Sequence, residues 1–187
     1  MKGYCILTAA IAVTLAGCTT QAPDGTPLGD DVIVSLDGEG AICGSAARGT
    51  EWTYGHESIE NHGDEAVVIH KVTLVNAEDA RVVEAALVPD EVRNDIAGLG
   101  AGWPTRGTPQ SAYDRLEGIP GAVLPPVSDP IRDDELFGLA LHLEVQPGGS
   151  FDGVSVDYTR EGSERIHRSK PSQWRFTLEE DCSTQGP

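Results

Sequence analysis

The sequence predicts an all-β protein: two antiparallel sheets packed face to face as a sandwich of seven or eight strands, with one long irregular crossover. Three observations carry that prediction. Short segments alternate apolar and polar residues with period two, and clusters of turn residues separate them. The chain holds 22 Gly and 12 Pro but only ten aromatic residues, a composition that disfavours a helical bundle or coiled coil. No stretch of ten or more residues keeps a helical period. At 187 residues the length suits one domain with a buried core.

Residues 1–17 read as a leader and not as part of the fold. Lys2 precedes an apolar run from Ile6 to Leu15, the layout of a secretory signal and too short to span a bilayer stably. The run ends in Leu15-Ala16-Gly17-Cys18. These four residues resemble the lipobox of bacterial lipoproteins. The resemblance implies cleavage before Cys18 and attachment of lipid to Cys18, with the mature protein held at the membrane by its acyl chains. Thr19 follows Cys18, so nothing here resembles an acidic inner-membrane retention signal. Loss of residues 1–17 leaves 170 residues, with 12 basic against 30 acidic side chains. From Cys18 to Asp31 the chain is polar and carries Pro and Gly. It reads as a flexible tether ahead of a folded domain over 32–187.

The strands follow in order. Val32 to Leu36 is a short strand closed by Asp37-Gly38. Glu51 to Ile59 is the second, with Gly55 marking a bulge. Asn61 to Glu65 is a turn, and Ala66 to Val75 is a strand whose alternation breaks at His70-Lys71, predicting a second bulge. Arg81 to Val88 is a strand ended by Pro89. Residues 89–130 lose all periodicity and are punctuated by Gly and Pro. A connection of that length is unusual in a compact domain, and it is expected to cross between sheets with a short helix or short strands. Alternation resumes at Glu135 to Val145, with Leu139, Leu141, Leu143 and Val145 on one face, and Pro147-Gly148-Gly149 is expected to stop it. Val154, Val156 and Tyr158 alternate next, Arg165-Ile166-His167 returns after a turn, and Trp174, Phe176 and Leu178 form the last strand before Cys182.

Ile59 to Ile69, with Asn61-His62-Gly63 between two strands, resembles a strand-turn-strand signature of bacterial immunoglobulin-like sandwich domains. Pro147-Gly148-Gly149 ahead of Val154-x-Val156-x-Tyr158 is similar to their final half. The resemblance implies an immunoglobulin-like sandwich and says little about activity, because such sandwiches host many roles. The Cys-Trp-Cys core of antibody domains is not met.

Of four cysteines, Cys5 leaves with the leader and Cys18 is claimed by lipid. Cys43 and Cys182 remain, and an exported chain with one leftover pair is expected to bond them. The closed loop of about 140 residues would contribute roughly 5 kcal/mol in the chain-entropy model. A metal or redox role competes, but neither cysteine has a CxxC partner or a neighbouring His.

The formal net charge is −17, which argues against nucleic acid or an anionic lipid surface as partner. A hydrophobic fraction of 39% is too high for a disordered acidic tail. Ten Arg against three Lys, with abundant Ala, Gly, Asp and Val, points to a GC-rich genome and, with the lipobox, to an actinobacterial source.

Catalytic signals are weak. Gly148-Gly149-Ser150-Phe151-Asp152-Gly153 lacks the spacing of a nucleophile elbow and reads as a turn. His56, His62, His70, His142 and His167 show no local pairing, although His56, His62 and His142 could converge across a sheet. The acidic run 129–135 offers hard oxygen ligands for Ca²⁺ without the spacing of an EF-hand loop, and reads as a solvated loop. No cofactor motif is found. Trp52 and Trp174 are expected in the core. Trp103, in the crossover, either plugs the end of the sandwich or stands out as a binding anchor. Trp103, Arg106, Tyr113 and Arg115 are the candidate interaction residues, of types favoured at interface anchors.

The reading is a lipid-anchored, non-enzymatic interaction module on the extracytoplasmic face of the cell membrane, whose partner is an envelope protein or polymer. The alternative is a lipid-anchored solute- or metal-binding protein that uses the crossover and its carboxylates.

Overall fold

A computed structural model describes residues 32–35, 38–96, 98–127 and 136–182. The leader, Cys18, the tether 18–31 and the acidic run 129–135 lie outside the described residues. In chain order the strands are β1 (Ile33–Ser35), β2 (Glu39–Ser45), β3 (Glu51–Asn61), β4 (Val67–Val75) and β5 (Glu78–Val88). Helix α1 (Asp90–Ile96), β6 (Gly98–Ala101), helix α2 (Gln110–Tyr113), β7 (Glu117–Ile119) and β8 (Val123–Leu124) follow. Then come β9 (Phe137–Phe151), β10 (Gly153–Arg160), β11 (His167–Arg168) and β12 (Gln173–Glu179).

Two sheets result, and the molecule is an all-β sandwich. In the larger sheet β9 lies between β3 and β5, and β7 flanks β5. β1 and β6 share the other edge of β3, β1 at Ile59–Asn61 and β6 at Trp52–Gly55. β12 meets the end of β9 through Phe176 and Phe151, and β2 lies beyond β12. The smaller sheet runs β11-β10-β4-β8. The inward faces meet in one cluster. Leu139, Leu141, Leu143 and Val145 of β9, with Trp52 and Tyr54 of β3, pack on Val67 and Ile69 of β4 and on Val154, Val156 and Tyr158 of β10. All four β9 residues are fully buried, as alternation requires of a strand with one face on the core.

Both expected bulges are present. Between Tyr54 and Glu57, β3 carries one residue more than β9. In β4, Lys71 opposes Asp157 and Ile69 opposes Tyr158, so His70 is the extra residue. The turn after β3 is built by Asn61, which is fully buried. Its side-chain amide donates to the carbonyls of Glu65 (2.9 Å) and Leu124 (3.1 Å), and its side-chain oxygen accepts the Gly63 N–H (2.9 Å). One residue thereby closes the turn and ties it to β8.

The structure departs from the sequence expectation in three places. Twelve strands are seen among the described residues where seven or eight are expected. Most of the surplus is short pieces inside the crossover. The exception is β2, Glu39–Ser45, which pairs in parallel with β12, so the sandwich is not wholly antiparallel. Its sequence EGAICGS shows no alternation because the aromatic rings of its neighbours lie over its glycines. A Cβ on Gly40 would come within 2.4 Å of the Trp174 ring, and one on Gly44 within 3.0 Å of Phe176 and 3.1 Å of Trp52. Finally, β9 does not stop at Pro147-Gly148-Gly149. Val145 opposes Ala80 and Ser150 opposes Glu78, so the exposed Gln146, Pro147 and Gly148 bow outward and pairing resumes.

Cys43 and Cys182 are bonded, with Cα atoms 5.7 Å apart and 139 residues of sequence separation. The bond joins β2 to the chain just past β12, stapling the parallel β2–β12 pair. Among the described residues no helix is long and apolar enough to cross a membrane.

Candidate functional site

The crossover leaves β5 in the larger sheet and reaches the smaller sheet through β8. On the way it covers the outer face of the larger sheet. Val92 and Ile96 of α1 and Ala112 of α2 pack with Val88 of β5 and Ala140 of β9, and Trp103, Tyr113 and Leu116 lie against them. This second, smaller core explains why Ala140, on the face of β9 opposite the leucines, is fully buried. Arg93 of α1 donates to the Ser58 hydroxyl of β3 (2.8 Å), fixing the helix to the sheet.

Trp103 is only partly buried. Its indole stacks on the His142 imidazole, with centroids 5.4 Å apart and planes 1° from parallel, and meets Tyr113 edge to face at 5.3 Å. The Tyr113 hydroxyl accepts the Thr105 N–H (3.0 Å). Trp103 and Tyr113 therefore belong to the cap itself. Arg115 is exposed and pairs with Glu91 of α1 (3.1 Å), an arrangement worth little in water. Arg106 is exposed and stands elsewhere. It lines a groove of about 570 Å³ with Arg48, Leu99, Gly100, Ala101, Gly102 and Thr105. The four candidate interaction residues thus divide: two in the cap, one in a surface ion pair, one on a groove.

The groove is held in place by β3. Gly102 donates its N–H to the Glu51 carbonyl (2.7 Å), and the Thr53 hydroxyl donates to the Gly102 carbonyl (2.6 Å). Thr105 folds back over β6, where a Cβ on Gly100 would sit 2.2 Å from its methyl group. Arg48 reaches the groove from the 3-10 turn Ala46–Arg48 after β2. Sequence reasoning missed it, because nothing near Arg48 in the chain signals proximity to residues 99–106. The pairing of β3 with β6 creates that proximity.

No protein-family model matches this chain, and no curated protein and no solved structure matches it either.

The histidines occupy separate surroundings. His56 stacks on Trp174 at 5.4 Å, His62 pairs with Glu60, His70 shares a hydrogen bond with Thr159 (2.9 Å), and His167 stacks on Tyr158 at 5.6 Å. The convergence of His56, His62 and His142 is not seen, and among the described residues no group of three His, Cys, Asp or Glu could hold a metal ion. Trp52 lies in the core as expected, whereas Trp174 is partly buried at its margin.

A buried polar centre escaped the sequence reading. Glu57 is 2% exposed. Its carboxylate accepts from the Tyr54 hydroxyl (3.0 Å) and the Ser172 hydroxyl (2.6 Å). Ser172 in turn accepts the Val154 N–H (2.9 Å). The bulge in β3 turns Glu57 inward, so no alternation pattern could reveal it.

Proposed function

We propose that this protein is a lipid-anchored envelope protein, attached through Cys18, that acts as a non-enzymatic interaction module on the extracytoplasmic side of the membrane. The observation that carries the interaction role is the groove between Arg48 and Arg106 on an otherwise acidic chain. It sits where the crossover meets the sheet edge, and loops on a rigid scaffold are where binding residues concentrate. The Leu15-Ala16-Gly17-Cys18 string supports the anchor, and the Cys43–Cys182 bond supports an oxidising compartment. We also read the sandwich as immunoglobulin-like, supported by the Asn61-centred turn between β3 in one sheet and β4 in the other.

The test has two arms. Intact mass of the protein from native membranes is expected to show Cys18 as the acylated first residue, and a free thiol at Cys18 overturns the anchor. Chemical cross-linking in those membranes is expected to give an adduct that Arg106→Ala abolishes at unchanged thermal stability. An adduct that persists in Arg106→Ala overturns the assignment of the surface.

A further inference from the structure

β6 is an edge strand. Among the described residues it pairs with β3 alone, in the register Trp52–Ala101, Thr53–Gly100, Tyr54–Leu99 and Gly55–Gly98. Antiparallel pairing alternates between residues that exchange main-chain hydrogen bonds with their neighbour and residues that point the same groups away. The Gly102 N–H bonds to Glu51, which puts Gly100 and Thr53 in the bonded class. Leu99 and Ala101 therefore turn their N–H and C=O groups outward, and both residues line the groove. Their side chains pack on the core instead, so what the groove offers at these positions is main chain.

Two cations flank that main chain. Arg48 and Arg106 are both exposed, and neither has a hydrogen bond or ion pair to any described residue. Arg81, Arg93, Arg115, Arg168 and Arg175 each face a carboxylate of their own chain, and Arg165, likewise exposed and without such a partner among the described residues, does not line the groove. In a chain of 30 acids and 13 bases, two unneutralised guanidinium groups on one groove make a local anion site in a negative field.

We propose that β6 takes up an extended acidic peptide segment as an added strand. The outward groups of Leu99 and Ala101 would bond its main chain, and Arg48 and Arg106 would hold its carboxylates. Strand addition gives affinity through main-chain bonds and specificity through alternate side chains, and guanidinium groups suit carboxylates. The absence of a side chain at Gly100 matters here, because Thr105 already occupies that space. Thr105 therefore closes the groove floor over Gly100, while Leu99 and Ala101 on either side stay partly exposed. This inference rests on the interaction role proposed above and names its partner class.

The test uses the full chain in detergent and a fluorescently labelled hexapeptide of alternating Val and Glu, read by anisotropy. Saturable binding is expected. Arg48→Gln and Arg106→Gln are each expected to weaken it about tenfold, as the loss of a charged hydrogen bond would. Both residues are exposed, so thermal midpoints serve as the folding control. N-methylation of alternate peptide amides is expected to abolish binding in one register and spare it in the other. Equal binding by both methylated registers overturns strand addition. Equal binding by the Val-Gln hexapeptide overturns the charge role. Citrate binding as tightly as the peptide makes the groove a small-anion site and overturns the proposal, as does an absence of peptide binding. If the peptide fails while Arg106→Ala still removes the cross-linked adduct, this inference falls and the interaction surface stands.

Discussion

Trp103 and His142 lie in parallel planes, 1° apart with centroids at 5.4 Å, and this contact seals the crossover onto the outer face of β9. Trp103→Ala removes the stack and the edge contact with Tyr113. The site is partly exposed, so the expected cost is about 1.5–3 kcal/mol, below that of a fully buried Trp. Chemical denaturation measures it. A loss below roughly 0.5 kcal/mol, the scale of an ordinary surface change, would show that the indole is not holding the cap.

The Cys43–Cys182 bond should be among the larger single contributions to stability. It closes a separation of 139 residues and staples β2 beside β12. Cys43→Ala with Cys182→Ala is expected to lower unfolding stability by about 3–5 kcal/mol. Urea midpoints of the double variant and of the reduced wild type should agree. A difference between them would mean that the alanines disturb packing in their own right.

Glu57 accepts two buried hydroxyl groups, from Tyr54 and Ser172. Glu57→Ala strands both donors and opens a space beside the β3 bulge, with an expected cost of about 2–4 kcal/mol. Tyr54→Phe removes one donor and should cost about 1 kcal/mol. In the cycle combining the two, the Tyr54→Phe effect is expected to shrink sharply in the Glu57→Ala background. Simple additivity would show that the pair does not interact.

Asp152 gives a pH dependence with a definite sign. Asn76 and then Arg175 donate to its carboxylate (3.0 and 2.8 Å), and these bonds hold its pKa below the ordinary value of 3.8. A lowered folded pKa stabilises the fold above the unfolded value, and that contribution is lost as the pH falls through the folded one. The stability gap between wild type and Arg175→Gln should therefore stay constant above about pH 5 and narrow below about pH 3.8. Urea midpoints across that range check it. A gap that widens toward acid would contradict the assignment.

Gly153 stands where the chain passes from the larger sheet into the smaller one. Its φ is +153°, and an added Cβ would meet the Ser172 carbonyl oxygen at 2.2 Å. Backbone cannot yield as a flexible side chain does, so Gly153→Ala is expected to cost more than about 3 kcal/mol or to prevent folding. A thermal midpoint near wild type would show that the corner can rearrange.

Alternation by itself determined most of the sandwich. Leu139, Leu141, Leu143 and Val145 announce a core face because side chains on a strand alternate and only one face of β9 meets the other sheet. The break in alternation at His70 announces a bulge for the same reason, and a glycine inside a strand announces the one at Gly55. The pairing of Cys43 with Cys182 was also legible, from the expectation that the leader and the lipid claim the other two cysteines of the sequence. Tertiary structure alone decided the rest. β2 has no pattern of its own, because rings from β12 and β3 occupy the space where its side chains would be. Glu57 enters the interior through a bulge, which reverses the inside-outside rule. Arg48 and Arg106 share a groove because β3 pairs with β6, a relation between segments about fifty residues apart. Periodicity records which way a residue faces within its own strand. Which distant segment it will face is fixed by the joint packing of both sheets, and no local stretch of sequence carries that information.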